Sequence, residues 1–158
     1  LKMATDAKTG QAIFGRYNVG LHNVGSYQSS GKPFITGSTH SAGDRVHMVE
    51  FPSVSKSFTV INTDTSNAIR VHFQSGSAVG AITVSGLAGE AEILSTDDVI
   101  ARKHFITILA NSSMTMDTKC KQFYISTETA DTSYQVFAEL TNIPTDRMYH
   151  LTGSGITE

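Results

Sequence analysis

Between positions 45 and 142, apolar and polar residues alternate in short stretches that are separated by polar turns. The clearest stretch is Ala68–Gln74, in which every second side chain is apolar and the intervening ones are polar or charged. This period of two is typical of a half-buried β-strand. Ser57–Asn62 precedes it across the polar turn Thr63–Asn67, so the two stretches together predict a β-hairpin.

The same pattern recurs along the rest of this region, and no stretch of twelve residues sustains a helical period. In Tyr134–Leu140 the alternation is regular, with Phe137 on the polar side between Gln135 and Glu139. About eight strands in roughly a hundred residues predict an all-β antiparallel β-sandwich or jelly roll. The further predicted strands are Val46–Phe51, Ala81–Val84, Glu90–Leu94, His104–Leu109, Ser113–Met116 and Lys119–Ser126.

Residues 1–44 have a different character. They carry few charges, and glycines occur at an almost even spacing that disfavours a helix. We therefore divide the chain into an extended glycine-rich N-terminal arm (1–44), a β-sandwich domain (45–143) and an irregular C-terminal tail (144–158). The glycines are Gly10, Gly15, Gly20, Gly25, Gly31, Gly37 and Gly43.

The energetics of such an arm limit how it is held. Residues 1–43, if extended, span up to about 140 Å at about 3.3 Å each, and ordering their backbone costs about 1–2 kcal/mol per residue. Apolar side chains that contribute about 1.5–3 kcal/mol each cannot offset this cost alone. We therefore expect pieces of the arm, such as 32–36, to add strands to a sheet edge, either of the chain's own sandwich or of a partner.

The arm also contains aromatic residues, which simple disordered segments lack. Because so few charges accompany them, we interpret four of them as candidate partner-binding anchors: Phe14, Tyr17, Tyr27 and Phe34. The alternative is that these side chains pack against the chain's own sandwich.

Composition and charge exclude several classes of function. Charged residues make up 16% of the chain and the net charge is −2, so no basic stripe for nucleic acid is expected. The densest basic group, Arg102, Lys103, Lys119 and Lys121, is interpreted as a solvated face on facing strands. No apolar run approaches the length of a transmembrane helix, and no signal peptide is predicted, so no membrane partner is expected.

The candidate chemistry is sparse. The six histidines form no metal-binding motif, although His47 and His72 lie on separate predicted strands and could meet across a sheet. A calcium site would have to start from Asn62, Asp64 and Asn67, which also fit a plain turn. We therefore predict no metal and no cofactor.

Nucleophilic catalysis is not indicated either. Asp97 and Asp98 are adjacent, so they would face opposite sides in a strand, and they fit a turn better than a catalytic pair; the nucleophile-elbow motif G-x-S-x-G is absent. The single cysteine, Cys120, cannot form an internal disulfide and has no local partner for catalysis, so we predict a small buried apolar side chain. No catalytic residues are assigned, and we expect the protein not to be an enzyme.

The run Val19–Ser38 resembles the N-terminal region of small virion proteins from tailed bacteriophages, particularly those of marine cyanobacteria. Three later stretches, 50–52, 58–62 and 69–73, look similar to the same group. The resemblance implies a viral structural protein of the capsid decoration or cement kind. Such proteins bind outside an assembled shell, often as trimers, and tie neighbouring capsomers together.

On this resemblance we expect the major capsid protein or other virion proteins as partners, with self-association as a trimer favoured. We expect a location on the capsid surface after assembly in the host cytoplasm. Two alternatives remain: a tail, neck or baseplate structural protein, and a glycan-binding β-sandwich module. The glycan-binding alternative is weakened by the absence of tryptophan, because sugar platforms use exposed aromatic rings.

Overall fold

The computed structural model describes Leu21 and residues 32–40, 45–73, 89–92, 103–127 and 131–149; for Arg45 and 89–92 it describes only the backbone. Nine strands occur in these ranges, together with a 3₁₀ helix at Thr145–Arg147. The strands are β1 (Pro33–His40), β2 (Arg45–Glu50), β3 (Ser55–Asn62), β4 (Ile69–His72), β5 (Gly89–Glu92), β6 (Ile106–Ile108), β7 (Ser113–Met116), β8 (Gln122–Ser126) and β9 (Thr132–Leu140).

The strands form two antiparallel sheets. The four-stranded sheet has the order β1-β9-β3-β7, and the five-stranded sheet has the order β5-β2-β8-β4-β6. Strands β1, β2, β3 and β4 alternate between the two sheets along the chain, and so do β6, β7, β8 and β9. These eight strands give the connectivity of a jelly roll, and β5, which lies between β4 and β6 in the sequence, extends the second sheet beside β2.

The predicted fold class is confirmed. Seven of the predicted strands correspond to β2–β4 and β6–β9, and β5 overlaps the predicted stretch Glu90–Leu94. The predicted hairpin of β3 and β4 is wrong, because the turn after β3 carries the chain from one sheet to the other and the two strands do not pair. The predicted strand Ala81–Val84 lies outside the described residues. Strong alternation allowed these assignments, because each strand buries one face against the opposite sheet.

The boundary of the predicted arm needs correction. Pro33–His40 was assigned to the arm, but it pairs along its whole length with β9, from Pro33 opposite Glu139 to His40 opposite Thr132. This piece of the predicted arm pairs with the chain's own sandwich and not with a partner, so the sandwich includes β1. Its inward side chains, such as Phe34 and Thr36, are half-buried, whereas the residues between them are exposed.

The core lies between the sheets and is rich in aromatic side chains. Phe58 of β3 and Phe123 of β8 are both fully buried, and their rings stack with centroids 4.5 Å apart. Phe51 packs against both rings at 5.8 and 5.7 Å. Since β3 and β8 belong to different sheets, this cluster joins the two layers.

A smaller cluster closes one end of the sandwich. Val54 and Ile143 are fully buried, Met148 is 5% exposed, and Leu21 packs against them. Val54 donates and accepts backbone hydrogen bonds with Ile143 and Thr141. Part of the region assigned to an irregular tail, 144–149, therefore contains the short 3₁₀ helix and a buried core residue.

The turn after β3 is held by side-chain hydrogen bonds. Asn62 is buried, and its amide nitrogen donates to the backbone oxygens of Asn67, Ile108 and Leu109 at 2.8–3.2 Å. Asp64 Oδ1 accepts from the backbone N–H groups of Ser66 and Asn67, and these bonds lower the pKa of Asp64. The residues considered for calcium thus bond to the backbone of their own turn, as Asx turns do.

We predict that Asn62→Ala destabilises the fold by about 2 kcal/mol, because it removes the donor from the buried carbonyl of Ile108 and from the part-buried carbonyl of Leu109. The free energy of unfolding in urea measures the loss. Thr63→Ala, at an exposed neighbouring position, is the matched control and should change the stability little. Equal stabilities for the two variants would contradict this role of Asn62.

Candidate functional site

The four aromatic residues predicted as partner anchors are not brought together by the described part of the chain. Phe14, Tyr17 and Tyr27 lie outside the described residues. Phe34 is half-buried in β1 and packs edge-on against Phe51, with ring centroids 5.2 Å apart. Its side chain therefore packs against the chain's own sandwich, which is the alternative considered from the sequence.

The neighbour of Phe34 has the opposite orientation and lies on an exposed surface. Ile35 of β1 is 73% exposed and stands directly opposite Phe137 of β9, which is 40% exposed. Phe137 in turn faces Thr59 of β3, and Thr59 faces Thr115 of β7. One row of side chains thus crosses all four strands on the outside of this sheet.

We call this outer surface of the four-stranded sheet the open face. It consists of the side chains that alternate with the buried ones along each strand. Its members are Pro33, Ile35, Gly37 and Thr39 on β1, Ser133, Gln135, Phe137 and Glu139 on β9, Ser57, Thr59 and Ile61 on β3, and Ser113 and Thr115 on β7.

Hydroxyl pairs order the polar part of the open face. Thr59 and Thr115 hydrogen-bond through their side-chain oxygens at 2.8 Å, and Thr39 and Ser133 do the same at 2.8 Å. Each pair joins neighbouring strands, and its two hydroxyl groups hydrogen-bond to each other. Fewer hydroxyl groups must therefore lose a hydrogen bond to water when a partner covers the sheet.

Charge on the open face is confined to one end. Glu139 accepts a hydrogen bond from Ser57 at 3.5 Å and forms an ion pair with Lys56 at 3.6 Å. Lys56 lies in the register shift between Ser55 and Ser57, where β3 departs from regular pairing with β9. Both charged side chains are about half exposed, so the pair contributes little stability. The middle of the face carries no charge.

Gly37 contributes no side chain to the β1 side of the open face. A Cβ atom at Gly37 would come within 3.0 Å of the Tyr134 carbonyl oxygen and 3.3 Å of Gln135 Cγ. The side chain of Gln135 therefore lies close over the glycine, and the surface between Ile35 and Thr39 has no projecting side chain. The area beside the exposed Ile35 and Phe137 pair is therefore covered by Gln135 and not by a side chain of β1.

The outer side of the other sheet differs. Val46 and Met48 of β2 and Tyr124 of β8 form a separate buried cluster there, and His72 and Ser126 are buried as well. Among the described residues, the open face is therefore the sheet surface that is left for a partner.

The size of the open face sets how strongly it can bind alone. Four strands spaced about 4.8 Å apart, each about six residues long at about 3.3 Å per residue, give roughly 300–400 Å². Each partner contributes about 800 Å² to a standard stable interface. The open face therefore supplies about half of the usual contact, and stable binding needs a second contact.

His47 and His72 do not meet to form the metal site considered from the sequence. His47 pairs with Ile125 and points into the core, whereas His72 pairs with Tyr124 on the opposite side of the same sheet. His47 instead stacks on His40 with ring centroids 3.8 Å apart, and its Nδ1 hydrogen-bonds the Tyr134 hydroxyl at 2.8 Å. In the described part of the chain, no three side chains of His, Cys, Asp or Glu are grouped to hold a metal ion.

The predicted basic group is likewise not assembled on facing strands. Lys119 and Lys121 precede β8, Lys103 precedes β6, and β4 lies between those two strands in the sheet. Arg102 lies outside the described residues. Within the described ranges, no helix is long and apolar enough to cross a membrane.

Cys120 is a buried core residue, as the sequence predicts, and is 1% exposed. Burial raises the pKa of its thiol to about 11, although a contact with Ser55 Oγ at 3.5 Å acts in the opposite direction. The reactive thiolate is therefore scarce at neutral pH.

The open face was not predicted from the sequence, because partner binding was assigned to the aromatic residues of the arm. The signal was nevertheless present in β9, where Phe137 falls on the polar side of a regular alternation. An aromatic residue there has no core to fill.

Comparisons of the chain with protein-family models, with curated proteins and with solved structures find no match.

We predict that Cys120 of the folded protein reacts with Ellman's reagent at pH 8 at least a hundredfold more slowly than in urea-unfolded protein. The reason is that both burial and the raised pKa, about 11, suppress the thiolate. The rate should rise with pH and with unfolding. Rapid labelling of the folded protein at pH 8 would contradict the buried position.

Proposed function

We propose that this chain is a bacteriophage virion structural protein that decorates the capsid, binding the assembled shell and tying neighbouring capsomers together. The observation that carries the proposal is the open face: a sheet surface that carries charge only at one end and that exposes Ile35 on the edge strand β1 and Phe137 on its neighbour β9. The jelly roll supports it at the level of fold, since viral capsid domains use this architecture, as do lectins and cupins. The resemblance of Val19–Ser38 to phage virion proteins supports it at the level of sequence.

The mechanism follows from the size of the contact. The open face is too small for stable binding by itself, so a second attachment is needed. The glycine-rich segment before β1 enters the sandwich at Pro33, next to Ile35 on the same edge strand. Face and segment would then contact adjoining parts of a shell, and two linked contacts bind more tightly than either alone. Self-association, with a trimer favoured, would multiply this effect.

We predict that the paired substitution Ile35→Glu with Phe137→Lys weakens binding to assembled shells at least tenfold in a co-sedimentation assay. Charges introduced into this part of the face must be desolvated when a partner covers it. The two new side chains stand opposite each other with opposite charges, so the β1–β9 pairing is retained. Unchanged binding would contradict the role of the open face.

The matched control is Leu109→Glu, at a residue that is 66% exposed in the turn after β6 and outside the open face. This variant should bind shells like the unmodified protein.

Removal of residues 1–31 tests the second contact. It leaves β1 in place, whereas a deletion to position 43 would also remove a strand of the sandwich. Full binding by the truncated protein would argue against a role for the leading segment.

The alternatives predict different results. A tail, neck or baseplate protein would occur as a few rings in each particle, whereas a decoration protein covers the shell, and quantitative mass spectrometry of particles separates the two. A glycan-binding module is the third possibility, since Phe137 is an exposed aromatic ring beside the amide of Gln135. Binding to a glycan array that is lost on Phe137→Lys would favour it.

A further inference from the structure

Strand β1 is an edge strand that lacks the usual protection against pairing with another chain. It ends the order of the four-stranded sheet, so among the described strands only β9 pairs with it. Natural proteins usually shorten an edge strand, bulge it or place charges on it. Pro33–His40 has eight residues, pairs with β9 without a register shift and contains no Asp, Glu, Lys or Arg. Its proline stands at the first position, where it does not interrupt pairing further along the strand.

The other edge strands of the two sheets differ from β1. Strands β6 and β7 have three and four residues, so each offers few backbone groups to a further strand. Strand β5 also has four residues, and two of them are glutamates, Glu90 and Glu92. Of the edges that the structure describes, β1 is therefore the one suited to accept a long strand.

The inner side of β1 is incompletely covered. Its side chains that point towards the opposite sheet are half-buried, apart from the fully buried His40 at the end of the strand. The residues of β9 that stand opposite the half-buried ones are at most 2% exposed: Ala138, Val136 and Tyr134. The two strands differ because β9 has a neighbouring strand on both sides and β1 is the end of the sheet. A strand beside β1 would complete the cover of Phe34 and Ser38.

The opposite sheet extends one strand further than β1 on this side. His40 of β1 stacks on His47 of β2 with ring centroids 3.8 Å apart, so β1 lies opposite β2. Strand β5 pairs with the outer edge of β2, whereas no described strand of the four-stranded sheet lies beyond β1. A strand added beside β1, at the usual spacing of about 4.8 Å, would therefore face β5 across the two layers.

The position beside β1 has room for a single strand and not for a second copy of the sandwich. If β1 of another copy were added there, the β2 strand of that copy would lie opposite it, in the place that β5 occupies. An isolated extended segment brings no second layer and avoids this overlap. Backbone hydrogen bonds would hold the segment, and apolar side chains at every second position would cover the half-buried Phe34.

We propose that β1 accepts one extended, uncharged segment of the main shell subunit as a fifth strand of this sheet. The identity of the partner rests on the proposed function, whereas the accepting edge rests on strand order and exposure alone. The added strand borders Ile35 and so continues the open face, which alone supplies about half of a usual contact. Edge and face thus bind the same partner.

Electron cryo-microscopy of shells decorated with the full chain tests strand addition. We expect main-chain density of a shell subunit at about 4.8 Å from β1, on the side opposite β9. Bound protein in which β1 borders solvent, another part of its own chain or a second copy would overturn strand addition and leave the decorating role intact. Shells that carry no bound protein would overturn both.

A charge on the inner side of β1 separates the edge from the open face. Ser38→Lys places a cation at a half-buried position of the edge strand, a device that natural sheets use against strand addition. It changes no residue of the open face and should weaken binding to shells at least tenfold in a co-sedimentation assay.

The matched control is Met114→Lys on β7, the other edge of the same sheet. Met114 stands opposite the buried Val60, so it also points inward, and it is 37% exposed. This variant should bind shells like the unmodified protein. Thermal unfolding checks that both variants are folded, and full binding by folded Ser38→Lys would refute the proposal.

Discussion

The structure depends on one interaction, the burial of an aromatic cluster between two sheets. Phe58 and Phe123 stack across the layers, and Phe51, Phe34 and Phe73 pack around them or at the margin of the core. No disulfide can hold this chain together, since it has a single cysteine. The cluster therefore supplies the contact that the jelly-roll connectivity requires, and the strands around it place every other surface. The open face is a consequence of where these strands lie.

The outer sides of the two sheets differ in their exposure to solvent, and the proposed function rests on this difference. The outer side of the five-stranded sheet carries buried residues such as Met48, Tyr124 and His72. The outer side of the four-stranded sheet carries Thr, Ser and Gln with exposed Ile35 and Phe137. A surface without charges at its centre costs little to desolvate, so it suits contact with another protein. Its modest area requires a second contact, which makes the segment before β1 part of the same proposal.

The sequence allowed much of the fold to be predicted, because local alternation reports burial directly. Strands β3, β4 and β9 were recognised from alternation, but β3 and β4 lie in different sheets and do not form the predicted hairpin. The burial of Cys120 was predicted because the sequence places no catalytic partner near it. Strand β1 was assigned to the arm because its partner is distant: Pro33 pairs with Glu139, and no local pattern records that pairing. Gly37 in its middle further weakened the strand signal. The open face could not be predicted without knowing the register of four strands. The stacking of His40 on His47 could not be predicted without knowing how the two sheets pack, because the two residues lie on strands of different sheets.

The central claim is that the open face lies against a partner in the assembled particle. Hydroxyl-radical footprinting with mass spectrometry, applied to the free protein and to the protein bound to shells, tests it most directly. We expect the oxidation of Ile35 and Phe137 to fall on binding, while the exposed Leu109 and Tyr149 serve as internal references. Unchanged oxidation of Ile35 and Phe137 in shell-bound protein would contradict the account.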